Sequence, residues 1–566
     1  MPDNSSSSIK SAIITSALPY ANGEIHLGHI ASTYLPADIF TRFLRLKGLK
    51  AYHICATDDF GTPILIRAEK EKKSPKDYVE YWNRRDKEDF ESLGISFDFF
   101  YKTSSKENVE FVQYVFKQLR ENGYIYDQNV IQFYCTYDNK FLPDRYVLGR
   151  CPYCNAENQY SDLCEKCGRV PDQILDPKCA ICGRPPVKKE SKHYFFRLSS
   201  LEEKLKEWLL SNQNLQPDVK NYVINWINEG LQDWDITRDL SWGVPIPPPE
   251  AKDKVFYGWF DNHLCYISSL AKFENDRGGN GKNFWNQSEI YHFIGKDIIY
   301  HHYLFLPAIR LGINSEYKLP DYIPTRGHLM LQNQKISKSR NWYIGLKDFT
   351  SAFNADYLRF YIASVVTYSQ DDLNFDFDAF YERINNELIA NVGNFINRAL
   401  SFTHKSFQGI VPSPGFSHSL DNARSIDDMV ERELVAVVDE TGILLSSNEI
   451  DKSLRRILRY SNYMNHYFQT NSPWANKSSS NRTIYVSVNA VRSLAILLEP
   501  FIPFSSEKIW KQLGLEASSV HEQDWRSAKD IRAIPPDHKL GKVEPIFRKI
   551  EAKEIEYWKN RLGKPQ

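Results

Sequence analysis

Apolar residues along this chain recur with two different periods, and the change of period marks out its parts. Ser11–Ala17 is a short apolar run with β-branched residues, the pattern of a strand buried in a parallel sheet. Pro19, Asn22 and Gly23 then form a turn. From about Gly28 to Lys47 the apolar Ile39, Phe40, Phe43 and Leu44 sit at helical spacing, and Gly48 ends the helix. Pro36, inside that stretch, should kink it or interrupt its hydrogen-bond ladder. Tyr52–Ala56 reads as the next strand. Strand, helix and strand in this order predict an α/β fold that opens as a doubly wound, Rossmann-like parallel sheet. Such sheets bind ligands at the carboxyl ends of their strands.

Between about Tyr124 and Gly230 the pattern breaks into a cysteine cluster and then helical, tryptophan-containing segments, which read as an insertion. Strand-like runs return at Val255–Trp259 and Ile290–Ile294, with a helix near Ile298–Leu311, as the second half of the same sheet. After Asn341 the chain is mainly helical. Leu388, Val392, Phe395 and Ala399 keep helix spacing, and similar faces continue to about Gly514 before a last charged helix. The expected division is a disordered tail over 1–9, a sheet domain over 10–123 and 231–345, an insertion over 124–230, a connecting stem over 346–385 and a helical domain over 386–566.

A chain of 566 residues is too long for one core, so several domains are required. Hydrophobic content of 42% with 25% charged residues is that of a soluble globular protein. No apolar run is long enough to span a membrane, and the N-terminus lacks the basic-then-apolar order of a secretory signal. Cytoplasm is the expected compartment and a monomer the expected state. Lys+Arg and Asp+Glu both number 71, which argues against a protein coated in nucleic acid. It leaves room for a local basic track.

Two short motifs carry the chemistry. His26-Leu27-Gly28-His29 lies where a strand passes through a turn into a helix. A helix N-terminus offers unpaired N–H groups to phosphate, Gly28 lets a nucleotide approach the backbone, and two imidazoles can steady charge on a departing pyrophosphate. Lys335-Ile336-Ser337-Lys338-Ser339 sits in a polar stretch suited to a mobile loop, with two ammonium groups three residues apart. Alone, each reads more readily as surface histidines at a helix cap or as a solvated basic loop. Together, each raises the weight of the other.

Six of nine cysteines fall between Cys151 and Cys182, which in a large chain without an export signal reads as metal binding. Cys151, Cys154, Cys164 and Cys167 form two CxxC knuckles that can close a tetrahedral Zn2+ site, structural because four thiolates leave no open position. Cys179 and Cys182 make a third knuckle, which Cys135 and Asp138 could complete as a second site. Cys55 and Cys265 read as core residues.

The stretch Ala17–His29, Phe141–Arg145, the cysteine knuckles, Trp234–Asp239, His292–Ile298 and the lysine loop together resemble the methionyl-tRNA synthetase family of class I aminoacyl-tRNA synthetases. The resemblance runs from about Ile13 to Ile550. It implies a catalytic Rossmann-like domain with a zinc-knuckle insertion, followed by an α-helical anticodon-binding bundle. It also implies activation of methionine by ATP with Mg2+, and transfer to tRNA. His26, His29, Lys335 and Lys338 would serve the triphosphate, with Gly28, Ser337 and Ser339 beside them. Gly295 and Asp297 would hold the ribose, and Asp58 the amino acid's α-ammonium. Leu18, Tyr20, Trp259, Tyr266, Ile298 and His302 would form the side-chain pocket, and Asn394, Arg398 and Trp474 would read the anticodon.

Several positions depart from that family's usual pattern. Asn262 and His263 replace small apolar residues beside the side-chain pocket, where polar groups need partners. Thr57-Asp58-Asp59-Phe60 lacks a histidine often found before the glycine, here Gly61. Arg326-Gly327-His328 differs near the expected adenine site, and Ala390 stands at an anticodon-helix position that is usually asparagine. Methionine–tRNA ligase is the first expectation. A relative using another amino acid or acceptor is the second, and a non-catalytic RNA-binding relative the third.

Overall fold

The structure is a computed structural model describing residues 11–161, 164, 166–167, 169, 171, 173–249, 251, 254–414 and 423–564. The tail expected over 1–9 lies outside the described residues. Five parallel strands form the central sheet in the order Thr325–Arg326, Glu289–Gly295, Ser11–Ser16, Lys50–Thr57 and Phe99–Lys102. Ser11–Ser16 is central, with Ile13 opposite both Ile290 and Tyr52. Its alternation divides the interior. Ala12 and Ile14 join a core with Phe40 and Phe43, while Ile13 faces a second core with Phe116 and Tyr303. The chain leaves Ser11–Ser16 towards one edge of the sheet and Glu289–Gly295 towards the other. A crevice therefore opens between the carboxyl ends of these two strands.

Each of these two strands leads into a helix interrupted in the same way. The helix expected from Gly28 to Lys47 is three pieces: Leu27–His29, a π-helical turn Ile30–Tyr34, and Leu35–Leu46. Pro36 lies in the first turn of the last piece. Proline has no N–H for the ladder, and the widened turn absorbs the break, with the N–H of Leu35 bonded to the carbonyl of Ile30. On the neighbouring strand a π-turn His301–Phe305 precedes Leu306–Gly312, with Pro307 in its first turn. The run expected over Val255–Trp259 as a strand of the same sheet is extended only at Val255–Phe256, which pairs antiparallel with Thr237–Arg238 in a separate two-stranded sheet and not with the central one. Trp259 belongs instead to the short helix Gly258–Asp261, which turns its ring towards the crevice.

The segment after Tyr124 is built on a long antiparallel pair, Ile125–Cys135 with Val187–Phe196. Trp234–Asp235 extends this sheet, so its pairing continues beyond residue 230. Helices Glu202–Ser211 and Pro217–Glu229 follow the long pair, and a small sheet of Val147–Arg150, Gln159–Tyr160 and Leu175–Cys179 carries the cysteines. Beyond Asn341 the described residues are mainly helical, apart from Leu373–Phe375, which pairs in parallel with Leu329–Leu331, and an irregular stretch over 530–551. The main helices there are Ala355–Val365, Asn394–Phe407, Ala423–Ser446, Ile450–Asn471, Lys477–Leu498 and Pro503–Gln512, with Ala552–Arg561 last. Among the described residues no helix is long and apolar enough to cross a membrane.

The sheet domain meets the helical domain through buried charge. Asp38, fully buried on Leu35–Leu46, accepts from Arg42 at 2.8 Å and from Arg359 at 2.7 Å. Its second oxygen accepts from the Ser96 N–H and hydroxyl. Arg42 reaches Glu499 at 2.7 Å, and Arg359 also donates to the carbonyls of Pro500 and Phe501. Burial alone would raise the Asp38 pKa, but the two guanidiniums hold it well below the usual carboxylate range. A depressed value makes this stabilisation complete above about pH 4 and progressively lost in more acidic solution. Asp38→Ala leaves the buried Arg359 without its carboxylate partner and Arg42 with Glu499 alone, and should cost about 3–5 kcal/mol, read as a lowered Tm at neutral pH. Glu110→Ala, at the exposed Lys106–Glu110 pair, should change stability by no more than about 0.5 kcal/mol.

Candidate active site

A cavity of about 660 Å³ occupies the crevice between the two strand ends, a volume within the range of small-molecule sites. One wall is the turn after Ser11–Ser16. There Ala21 N–H donates to the Asp58 carbonyl and Asp58 N–H to the Pro19 carbonyl, which ties the turn to the next strand. His26 then caps the helix start. Its Nδ1 accepts from the Gly28 N–H at 3.2 Å, and the Nδ1 of His29 accepts from the His26 N–H at 3.1 Å. The two rings stack 3.7 Å apart.

These bonds decide the tautomers. Burial lowers the pKa of both histidines, that of His29 to about 3, with Lys338 adding to the shift and His29 also acting on His26. Both rings are therefore neutral near pH 7. Since each Nδ1 is an acceptor, each Nε2 carries the proton, so the pair presents two N–H donors. Gly28 is needed for close approach, since a Cβ there would lie 2.9 Å from Ile336 and 3.0 Å from the His26 ring.

That contact also brings the lysine loop to the histidine turn. Lys335 and Lys338 both line the cavity. Lys338 Nζ donates to the Glu24 carbonyl at 2.8 Å, and the Glu24 carboxylate accepts from Tyr343 at 2.8 Å. Burial lowers the Lys338 pKa. Ser337 stands behind, its backbone paired with Trp342, and does not line the cavity. The side chain of Ser339 lies outside the described residues.

The opposite wall is Gly295, Asp297 and Ile298 at the end of Glu289–Gly295. A Cβ on Gly295 would meet the Asp297 carboxylate at 2.6 Å, and Asp297 accepts from His328 at 3.1 Å. Of the segment Arg326-Gly327-His328, only His328 lines the cavity. The Arg326 guanidinium is buried against Phe293 and Tyr368 and donates to the Asn448 carbonyl, turned towards the helical domain.

The cavity is also lined by Leu18, Tyr20, Trp259, Tyr266 and His302, together with the buried Asp58, Asn262 and His263. Burial raises the Asp58 pKa to about 7, with Asp59 adding to the shift, and Asn262 Nδ2 donates to it at 3.3 Å. The neighbouring Asp261 is raised further, again by burial and then by Asp58. Asp58 is thus a buried carboxylate with no cation beside it among the described residues, suited to a ligand's ammonium group. Trp259 stacks on His301 at 3.6 Å. His301, which backs Trp259 without lining the cavity, was not anticipated from the sequence, and neither were Ser32, Thr33, Met330 and Ile336, which do line it. Nothing local marks them, because the π-turn and the folded-back loop carry them there.

Away from the cavity, Cys151, Cys154, Cys164 and Cys167 bring their ligand atoms within 4.8 Å of one another, and Cys135, Asp138, Cys179 and Cys182 do the same. In the first group the Sγ separations are 3.8 Å for Cys151–Cys167 and 3.6 Å for Cys154–Cys164. A tetrahedron with bonds of about 2.3 Å to sulfur has edges of ~3.8 Å, so these thiols are already spaced for one metal ion. In the second, Cys135 and Cys182 are 3.5 Å apart and the Asp138 carboxylate is 3.0 Å from Cys135 and 3.2 Å from Cys179. The two groups lie at opposite ends of the small sheet. Cys55 and Cys265 are buried in the core, as expected.

In the helical domain, Asn394, Arg398 and Trp474 come together on one surface. Asn394 donates to Asn465 at 3.3 Å and Arg398 to Gln469 at 2.7 Å. The Arg398 guanidinium lies 5.8 Å from the Trp474 ring, which is 51% exposed.

Comparison with known proteins gives a consistent result. The family described as tRNA synthetases class I (M) matches residues 12–400, and the anticodon-binding domain of tRNA ligase matches residues 427–559. The chain is 42% identical over 556 residues to the methionine–tRNA ligase of Methanopyrus kandleri, covering 96% of this chain and 80% of that one. It is 40% identical over 568 residues to the methionine–tRNA ligase of Pyrococcus furiosus, covering 96% and 76%. The Mycobacterium tuberculosis methionyl-tRNA synthetase, solved in complex with methionyl-adenylate, shares the fold, with a TM-score of 0.77 at 24% identity over 95% of this chain and all of that one.

Proposed function

Since the chain belongs to the methionine-type class I tRNA synthetases, we propose that it is a methionine–tRNA ligase, joining methionine to ATP as methionyl-adenylate and passing the aminoacyl group to tRNA. One observation carries the reading. A paired histidine turn, a lysine loop and a buried carboxylate with no cation beside it among the described residues line a single cavity of nucleotide size at the switch point of a parallel sheet. That assembly suits nucleophilic attack by a carboxylate on the α-phosphate of ATP, with pyrophosphate leaving.

In this reading the Nε2–H groups of His26 and His29 donate to the triphosphate and to the charge that grows on leaving pyrophosphate. They are uncharged and held by backbone, so they need little reorganisation as that charge develops. Lys335 and Lys338, on the loop packed against the histidine turn, add their charge to the same phosphates. Gly295 and Asp297 take the ribose, with His328 orienting the Asp297 carboxylate. Asp58 takes the amino acid's α-ammonium and so aims its carboxylate, and Leu18, Tyr20, Trp259, Tyr266, Ile298 and His302 surround the side chain. Mg2+ bound with ATP would supply charge neutralisation to the phosphates. Asn394, Arg398 and Trp474 stack on and hydrogen-bond to anticodon bases. The two cysteine groups would hold structural Zn2+, with Asp138 as the one oxygen ligand. The working unit is one chain, acting in the cytoplasm.

The test is ATP–pyrophosphate exchange with each of the twenty amino acids. Exchange with methionine, followed by charging of tRNA, is expected; silence with methionine overturns the reading. Because Asp58 must be ionised to hold an ammonium group and burial raises its pKa, kcat/KM for methionine should climb between pH 6 and 8. Asp58→Asn should remove that limb and lower kcat/KM by about a hundredfold or more. Metal analysis of the purified chain should find two zinc ions. Cys151→Ser should lose one of them with a lower Tm, and Asp138→Ala should lose only the other.

A further inference from the structure

Glu24, between Gly23 of the turn and the histidine motif, receives the lysine loop twice. Its backbone carbonyl accepts from Lys338 Nζ at 2.8 Å, from inside the loop. Its carboxylate accepts from the Tyr343 hydroxyl at 2.8 Å, from just beyond the loop. Two glycines make room for these contacts. A Cβ on Gly23 would stand 3.1 Å from Lys338 Nζ, and one on Gly345 would stand 2.9 Å from the second Glu24 carboxylate oxygen. Burial raises the Tyr343 pKa to about 12, with Glu24 adding to the shift, so at neutral pH the phenol keeps the proton it donates.

Tyr343 stands where the chain passes from one body to another. After it, backbone bonds fasten the chain to the histidine turn: Leu27 N–H donates to the Ile344 carbonyl at 3.1 Å, and Leu346 N–H to the Ile25 carbonyl at 2.8 Å. Before it, the loop is closed on itself and on a neighbouring strand. Ser337 and Trp342 exchange both backbone bonds at 2.9 Å, Gln334–Lys335 pairs with Leu329–Leu331, and the Trp342 ring N–H donates to the Leu331 carbonyl at 2.9 Å. A loop so closed pivots as one piece, and Glu24 joins it to the turn that carries His26 and His29. Ammonium groups serve a transferring phosphate only when held where its charge develops, and a hydroxyl bonded to a carboxylate is a charge-assisted, stronger joint. We infer that Tyr343 and Glu24 form a latch, a phenol–carboxylate bond that positions the lysine loop against the histidine turn and so presents Lys338 to the triphosphate. Both are positioning residues, since neither side chain lines the cavity. The inference rests on the reading of this cavity as the ATP site.

Tyr343→Phe removes one oxygen and keeps the ring. In pyrophosphate exchange with methionine it should lower kcat/KM for ATP by about tenfold and leave KM for methionine unchanged, a split that a merely loosened fold would not give. Glu24→Gln, whose amide oxygen can accept the same proton, should keep most of the wild-type value. Glu24→Ala, which retains the backbone carbonyl for Lys338, should match Tyr343→Phe, and the double variant should be no worse than either single one, because all three lose the same bond. Trypsin gives a reading that needs no catalysis. Cleavage of the ligand-free chain after Lys335, Lys338 or Arg340 should quicken by about tenfold in Tyr343→Phe, since the latched loop opens less often. An unchanged kcat/KM for ATP in Tyr343→Phe refutes the latch and leaves the ligase reading standing. An equal fall in the ATP and methionine parameters assigns the bond to the fold as a whole and also refutes it. If the wild-type chain supports no exchange with methionine, the ligase reading fails, and an unquickened cut in Tyr343→Phe then refutes the latch independently.

Discussion

The buried pairing of Asp38 with Arg359 and Arg42 fixes how the parts of this molecule stand relative to one another. Asp38 belongs to the helix that leaves the histidine turn, Arg359 to the first long helix after the sheet, and Glu499 to the end of a bundle helix. A buried ion cluster tolerates little misalignment, because each displaced partner leaves a charge unpaired in a poorly polarisable interior. The histidine turn and the surface of Asn394, Arg398 and Trp474 are therefore set on one frame. Arg326 reinforces this by bonding from the edge of the sheet to the Asn448 carbonyl.

Within that frame, two prolines shape the cavity. Pro36 and Pro307 each stand just past a π-turn on the helix leaving one of the two central strands. A missing N–H in a helix ladder must be absorbed somewhere, and both helices absorb it at the strand end, where the widened turn brings Ser32 and Thr33 on one side and His302 on the other to the cavity wall. The hydrogen-bond constraint and the ligand site thus coincide.

Proton placement does the finer work. Backbone groups set the buried ring nitrogens: the N–H groups of His26 and Gly28 make donors of the outer nitrogens at the phosphate end, and the carbonyls of Trp259 and Ile298, each 3.1 Å from a ring Nδ1, make acceptors of the Nε2 atoms of His263 and His302 at the side-chain end. Burial keeps these rings neutral, so their polarity comes from tautomer and not from charge. The same residue type therefore takes opposite tautomers some distance apart along one cavity.

What the sequence by itself determined were features that a single element writes in its own pattern. The apolar run at Ser11–Ala17, the helical spacing of Ile39, Phe40 and Phe43, and the i, i+3 spacing of the cysteine knuckles depend on local geometry alone, and the structure contains each. The interruption expected at Pro36 is also present, because a missing donor is a local fact. What only the tertiary structure decided were relations across long separations. Asn262 meets Asp58 across 204 residues and Lys338 meets the Glu24 carbonyl across 314. Trp259, in a run that reads as strand, became helical because the pairing stops at Phe256 and the chain turns into the crevice. Arg326 sits in a segment expected near a ligand, yet packing against Phe293 and Tyr368 turns it away. Periodicity reports which face of an element is buried; it carries no information about which distant group that face will meet, or which nitrogen will hold the proton when it does.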